Sequence, residues 1–493
     1  MSIAITRDTF SDGDYARFSA RLDTQLEHLA RVCARAGFGD GPATIGAELE
    51  LPLVAADGRP SGCNAAVLSD LNDPRGTFEI ARFNIELNLT PLPAAGTPFT
   101  TLGLEITDLL RSLHKVTAGH GARTLPIGIL PSVMPEDVTH DAMTDLPRYR
   151  ALERAVTRLR NGPAHVRIQG EEPLAIEADG VMLEGANTSF QVHLRVPAAR
   201  YADTYNAAQL ATLVTVAIAG NSPVFLDHLL WEETRIAVFK QSVDARTTDD
   251  LTWHRPARAA FGHGWVRRGA AELFTEAVRL HPPIFPICDD EESDHPDADV
   301  PRLPELRLHQ GTVWRWNRAI YDCHGSGHLR IEYRALPGGP TTPDMMANAA
   351  FMLGLTMGLA DDIESRITGI PFALAETSFY RAARDGMNAV LLWPHMRGNS
   401  PRESPVRELA ATLLRLADHG LTTLGVAPEE RSRYLGVIAD RVSSGKTGAR
   451  WQRSALYTLR RGHPSRRAAL GRLVAEYAAR ADTQAPVHTW TPV

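Results

Sequence analysis

The sequence predicts an α+β protein in which one half-buried sheet presents a polar, ligand-bearing face. Four separate stretches alternate polar and apolar residues strictly, and several longer ones repeat apolar residues at helical spacing. From about residue 400 the pattern is helix after helix, with no convincing strand. Alternation predicts strands because successive side chains point to opposite faces of a sheet, whereas a helix repeats its face every three to four residues.

In chain order, residues 14–37 read as an amphipathic helix leading into the first strand. In 46–51, Glu48 and Glu50 share one face, and Ala47, Leu49 and Leu51 share the other. In 83–88, Asn84, Glu86 and Asn88 oppose Phe83, Ile85 and Leu87. Leu102, Ile106, Leu109, Leu113 and Val116 mark a helix over 100–120. The short apolar run 125–130, flanked by prolines, reads as a buried strand. In 189–195, Gln191, His193 and Arg195 oppose Phe190, Val192 and Leu194. The Ala-, Leu- and Val-rich run 201–219 is a helix that stops at Gly220-Asn221-Ser222-Pro223. An acidic, proline-containing loop covers 289–301. In 328–334, Arg330, Glu332 and Arg334 oppose Leu329, Ile331 and Tyr333, and 343–367 is a further long helix. This order suggests a mixed catalytic domain over 1–385 and a helical extension over 400–493, arginine-rich toward its end.

The bulk properties narrow the class. At 493 residues, 44% hydrophobic and 22% charged, the chain has the composition of a globular protein with a large core. A net charge of −6 does not indicate a nucleic-acid partner held by phosphate attraction. Cys33, Cys63, Cys288 and Cys323 are far apart and form no CxxC, which suggests a reducing compartment and no zinc site. The first residues hold no apolar run of signal-peptide length, and no later stretch is apolar enough to span a bilayer. The expectation is a cytoplasmic protein without membrane contact; a homo-oligomer is compatible with the sequence.

Pairing the four alternating strands in one sheet would gather Glu48, Glu50, Glu86, Glu332, His193 and several guanidiniums on one concave surface. Glu48 and Glu50, two apart on a strand, have Cα atoms about 7 Å apart, so each can serve a different ion in one cavity. Hard oxygen donors favour Mg²⁺, and the imidazole admits Mn²⁺ in its place. Mg²⁺ commonly arrives with phosphates, so the set points to ATP. Arg330 and Arg334 lie on the same face, where cationic groups would stabilise a phosphoryl group in transfer, with Arg235 and Arg246 as further nucleotide-binding candidates. Trp314, Trp316, Asn317 and Arg318 crowd two indoles, an amide and a guanidinium together, a combination suited to an amino-acid carboxylate. Ser443-Ser444-Gly445-Lys446-Thr447-Gly448 lacks the first glycine of a phosphate loop and follows no strand, so it reads as a turn.

Taken in order, the four strand motifs resemble glutamate–cysteine ligase family 2, carboxylate–amine ligases related to glutamine synthetase. The resemblance covers about residues 40–385. It implies a curved, mostly antiparallel sheet with helices on its outer face and a glutamine synthetase-like active-site funnel. It also implies ATP, Mg²⁺, and a two-step reaction in which a carboxylate is phosphorylated and an amine then displaces phosphate. By position, Glu48, Glu50, Glu86, His193 and Glu332 would be metal ligands and Arg330 would stabilise the transferring phosphoryl group. The expected substrates are a glutamate-like acid, through its γ-carboxylate, and an amine, with cysteine as the default acceptor. The competing readings are a metal-dependent phosphotransferase or hydrolase on the same fold, and a non-catalytic nucleotide-binding regulator.

Overall fold

The computed structural model describes residues 3–289, 299–394, 400–462 and 465–493. Its centre is an antiparallel sheet curled into a half-barrel. Strand order across it is Asn317–Asp322, His328–Tyr333, Phe190–Val196, Thr44–Ala55, Asn84–Asn88 and Gly76–Phe78. Short strands Leu92–Pro93 and Ala122–Thr124 add to the two ends of the long first strand. All four alternating stretches are therefore neighbours in one sheet, although nearly three hundred residues separate the first from the last.

Register follows from the alternation. Leu49, Leu87, Phe190, Val192, Leu194, Leu329, Ile331 and Tyr333 form a buried apolar reverse face. A one-residue slip in any of these strands would place its polar side chains in that core. Behind this face lie the helices Tyr201–Ala219 and Thr342–Ala360, buried over nearly their whole circumference, as their composition requires. Tyrosine hydroxyls fix them to the sheet. Tyr201 donates to the Arg330 carbonyl at 3.0 Å, Tyr205 to the Asn317 carbonyl at 2.6 Å, and Tyr333 meets the Thr356 hydroxyl at 3.2 Å.

The helices Val406–Thr423, Pro428–Ser444, Gly448–Gly462 and Arg466–Asp482 follow. The first of them crosses Thr342–Ala360 at backbone contact distance, and a Cβ at Gly420 would lie 1.9 Å from the Gly354 carbonyl oxygen. The second inserts Arg441 into the core, where it donates to Asp344 at 2.8 Å; both residues are almost wholly buried. Asp344 also accepts from the Thr341 hydroxyl at 2.7 Å and the Val487 amide at 2.9 Å.

Local structure departs from the sequence expectations in four places. Residues 125–130 are buried but not a strand; Pro126 has no amide to donate, and the ladder ends at Thr124. The helix expected over 343–367 is two, Thr342–Ala360 and Ile363–Thr368, broken at Asp361 and Asp362. A short strand, Arg402–Pro405, pairs with Val390–Trp393 where only helix was expected. A hairpin, Ala164–Ile168 with Leu174–Ala178, stands apart from the main sheet. Most of the acidic loop 289–301 lies outside the described residues. Among them, no helix is long and apolar enough to cross a membrane.

Removing one partner of a buried ion pair strands the other charge in the core. Arg441→Met should therefore destabilise the protein by about 3–5 kcal/mol. Equilibrium denaturation against the wild type measures this; a loss under 1 kcal/mol would mean that the pair is not holding the C-terminal helices to the core.

Candidate functional site

The polar face of the sheet is organised in rows set by the strand register. Glu332 lies opposite His193, which lies opposite Gly46, so the imidazole meets no side chain in that row of the first strand and turns toward Glu48. Glu50 lies opposite Glu86, and Glu86 opposite Thr77. Two groups of potential metal ligands result. One is Glu48, His193 and Glu332; the other is Glu50, Glu79 and Glu86, and within each group one donor atom per residue lies within 4.8 Å of the others.

The first group is charge-balanced by protein cations. His193 Nε2 is 3.1 Å from Glu48 and 3.9 Å from Glu332. Arg318 donates to both oxygens of Glu332, at 2.6 and 2.9 Å, and Arg334 reaches the same carboxylate at 3.3 Å. Burial opposes ionisation of Glu332, but Arg318, Arg334 and His193 together hold its carboxyl far below the usual range. Glu48 is likewise shifted down, with His193 outweighing the effect of burial.

The second group has no such balance. Glu50 accepts from the Ser189 amide and the Gln191 side chain, both at 2.8 Å. Glu86 accepts from Thr77 at 3.0 Å and Asn88 at 2.9 Å. These donors are neutral. Burial first, and then the charges of Glu48 and Glu50, push the Glu86 carboxyl up to about 8. Burial raises Glu79 and Glu50 as well, in Glu79 with help from Glu50 and Glu86, and in Glu50 against the opposing charge of Arg334. Three crowded oxygen acids with raised proton affinity and no cation among them are a donor set that fits a hard divalent ion. The Glu48–His193–Glu332 set, with one nitrogen donor, fits a second ion and tolerates Mn²⁺.

Two adjoining cavities open on this face. The first, about 380 Å³, is lined by Glu48, Glu50, Glu79, Glu86, Glu184 and Arg334, and on one wall by Phe239, Phe285 and Trp314. The second, about 420 Å³, is lined by Glu48, His193, Arg195, Asp322, His328 and Arg330. Glu48 and Asn88 border both.

All five metal-ligand candidates from the sequence thus meet on one face, and Arg330, Arg334, Arg318 and Trp314 line the cavities. Arg318 directs its fork at Glu332 and the Gly311 carbonyl, so it orients a carboxylate of the protein rather than clamping one of a substrate. Four candidates fall elsewhere. Arg235 is buried, paired with Glu233 at 3.0 Å and bonded to the carbonyls of Arg334 and Ala335; it braces the strand end from behind. Arg246 chelates Asp244 in a separate cleft. Trp316 packs in the core against Phe239 and Phe379. Asn317 is fully buried and bonded to Gln209 and Thr212, because strand alternation sends it to the reverse face when Arg318 takes the site face. Two carboxylates of the first cavity were not anticipated. Glu79 follows a three-residue strand, and its only signal is the short Thr77-x-Glu79 alternation. Glu184 stands on a single turn, Glu184–Ala186, which has no periodicity to reveal it.

The sequence matches the model of glutamate–cysteine ligase family 2 over residues 44–476, a span that runs beyond 385 into the C-terminal helices. Among solved structures, the glutamate–cysteine ligase of Francisella tularensis in complex with AMP is similar in fold. It has a TM-score of 0.55 and 13% identity, covering 92% of this chain and 96% of that one. A bifunctional glutathione synthetase from Pasteurella multocida has a TM-score of 0.42 and 11% identity, covering 94% and 55%. The ligase PafA, in complex with the prokaryotic ubiquitin-like protein Pup, has a TM-score of 0.36 and 10% identity, covering 89% and 72%. No curated protein matches the chain.

The raised carboxyls make stability depend on pH and metal together. An acid whose pKa rises on folding binds more protons folded than unfolded, so stability falls as pH rises between the two values. For Glu86 that window runs from 4.5 to about 8. The depressed carboxyl of Glu332 changes stability only below 4.5 and does not offset this. The metal-free melting temperature should fall from pH 5.5 to 8, and the increment given by millimolar Mg²⁺ should grow over the same interval. Differential scanning calorimetry at four pH values tests this; an increment independent of pH would contradict it.

Proposed function

The chain belongs to glutamate–cysteine ligase family 2 and is an ATP-dependent carboxylate–amine ligase, and we propose that it joins the γ-carboxylate of glutamate to an amine, with cysteine as the default acceptor, through an acyl phosphate. The observation that carries this reading is the pair of carboxylate groups on one sheet face, at the junction of two cavities.

The second cavity, with Arg195, His328 and Arg330 on its walls, suits the polyphosphate of the nucleotide. The AMP bound by the Francisella ligase supports a nucleotide in this reading. The first cavity then takes the acid and the amine. Glu48, His193 and Glu332 would hold one Mg²⁺, and Glu50, Glu79 and Glu86 another. When bound, these ions supply the positive charge that lets an anionic carboxylate approach an anionic phosphate.

The protein's own groups do the rest. Arg330, anchored to Asp322 at 2.9 Å, lines the second cavity, where it would stabilise the phosphoryl group in transfer. Arg334 lies between Glu332 and Gln191, a position from which it would steady the phosphoryl group from the substrate side. Arg148 lines the mouth of the first cavity and has no carboxylate partner among the described residues, which suits it to the α-carboxylate of the acid. Fixed in these positions, the attacking carboxylate and the γ-phosphate meet in line, and orientation supplies a large part of the acceleration.

A panel of amino acids and amines incubated with ATP and Mg²⁺, and read by mass spectrometry for new amides, tests the substrates. Glu332→Gln should lower metal-dependent ADP formation by about two orders of magnitude or more. Near-wild-type turnover in that variant, or ADP released equally with and without the amine, would overturn the proposal.

A further inference from the structure

Glu184 is the carboxylate of the first cavity that neither metal group uses. Its turn is held in place by its main chain: the Asn84 side chain donates to the Gly185 carbonyl at 2.8 Å, and Gly185 packs on Ile80 and Ala81. The Glu184 carboxylate itself makes no hydrogen bond or ion pair among the described residues. Ions bound by Glu50, Glu79 and Glu86 would neutralise that group and leave Glu184 without a paired cation. The helix Thr234–Ser242 packs against the Glu184 turn and brings Phe239 to the cavity, edge-on to Trp314 at 6.2 Å, with Phe285 and Val243 on the same wall. A half-buried carboxyl beside an aromatic wall, with no cation paired to it among the described residues, is complementary to an ammonium carried on an apolar body, whose charge would hold the carboxyl ionised against the effects of burial and of Glu50.

We propose that Glu184 receives the ammonium of the acceptor amine, and that the adjoining wall of Phe239, Phe285 and Trp314 receives the acceptor's apolar side chain. This rests on the ligase reading above and narrows its acceptor to primary amines with an apolar or aromatic body. It makes Glu184 a binding residue for the second substrate rather than a third metal ligand.

The test compares wild type with Glu184→Gln in the presence of glutamate, ATP and Mg²⁺. The acceptors are hydroxylamine, which is uncharged near neutral pH and reports acyl phosphate as hydroxamate, and the cationic amines cysteine, 2-phenylethylamine and ethanolamine. In the variant, the ratio of kcat/KM for 2-phenylethylamine to that for hydroxylamine should fall about 10- to 100-fold, expressed mainly in KM, as expected for a lost charge-assisted contact. In the wild type, 2-phenylethylamine should exceed ethanolamine by about 10-fold or more in kcat/KM. The melting-temperature increment from Mg²⁺ should persist in the variant, which shows that it is folded and that Glu184 is not a ligand. An unchanged ratio, a preference for ethanolamine, or loss of the Mg²⁺ increment would each overturn the assignment. A wild type that makes no hydroxamate would instead remove the ligase reading, and this proposal with it.

Discussion

Mutual repulsion among carboxylates on one sheet face is the constraint on which the rest of this structure depends. Glu48, Glu50, Glu79, Glu86 and Glu184 line the first cavity, with Glu332 buried beside Glu48, and desolvation sharpens every interaction between them. The fold answers the repulsion unevenly. On the Glu332 side, two arginines and a histidine are built into neighbouring strands, so the charge is balanced before any ligand arrives. On the Glu86 side the hydrogen-bond donors among the described residues are amides and hydroxyls, and Arg334 opposes the rise in Glu50 without cancelling it. The answer is uneven: one half is preorganised by charge, and the other keeps its carboxyls crowded.

Holding such a face together requires a stiff reverse side. The apolar residues opposite each carboxylate pack on two nearly all-buried helices, and those helices are gripped in turn by the C-terminal ones. A polar hub makes the connection. Asn221 donates to the Gly338 carbonyl and to the Tyr477 hydroxyl, both at 2.8 Å, and accepts from Gln452 at 2.9 Å. Gly338 donates to the Thr188 carbonyl, and the next residue, Ser189, gives its amide to Glu50. The C-terminal helices are therefore a few bonds from the carboxylate-bearing face. The family match through residue 476 accords with that closeness. Gly448 sits at the tightest point of the hub, where a Cβ would lie 2.0 Å from the Asn221 side-chain oxygen.

The two cavities divide the chemistry by charge. One carries Arg195, Arg330, His193 and His328 against Glu48 and Asp322; the other carries five glutamates against Arg148, Arg318 and Arg334, with aromatic side chains in its lining. Glu48 stands on the border of the two. Arg318 and Arg235 illustrate a second layer. Neither is free to meet a substrate, yet one orients Glu332 and the other braces the end of the strand carrying Arg334.

Period-two alternation determined the strands, their polar faces and five of the residues that meet there, because side-chain direction along a strand is a local property that neighbours cannot reverse. It also gave the residue types from which a divalent, phosphate-linked chemistry follows. Alternation also put Arg330 and Arg334 on the polar face, but only tertiary structure decided that Arg235 does not reach it. Arg235 is enclosed beneath the strand end, whereas Arg330 opens on a cavity. Glu79 and Glu184 were likewise hidden, since a three-residue strand and a single helical turn are too short to show a period. Their place in the site comes from the pairing of Gly76–Phe78 with the Glu86 strand and from Gly185 packing on Ile80, contacts between segments up to a hundred residues apart that no local pattern records.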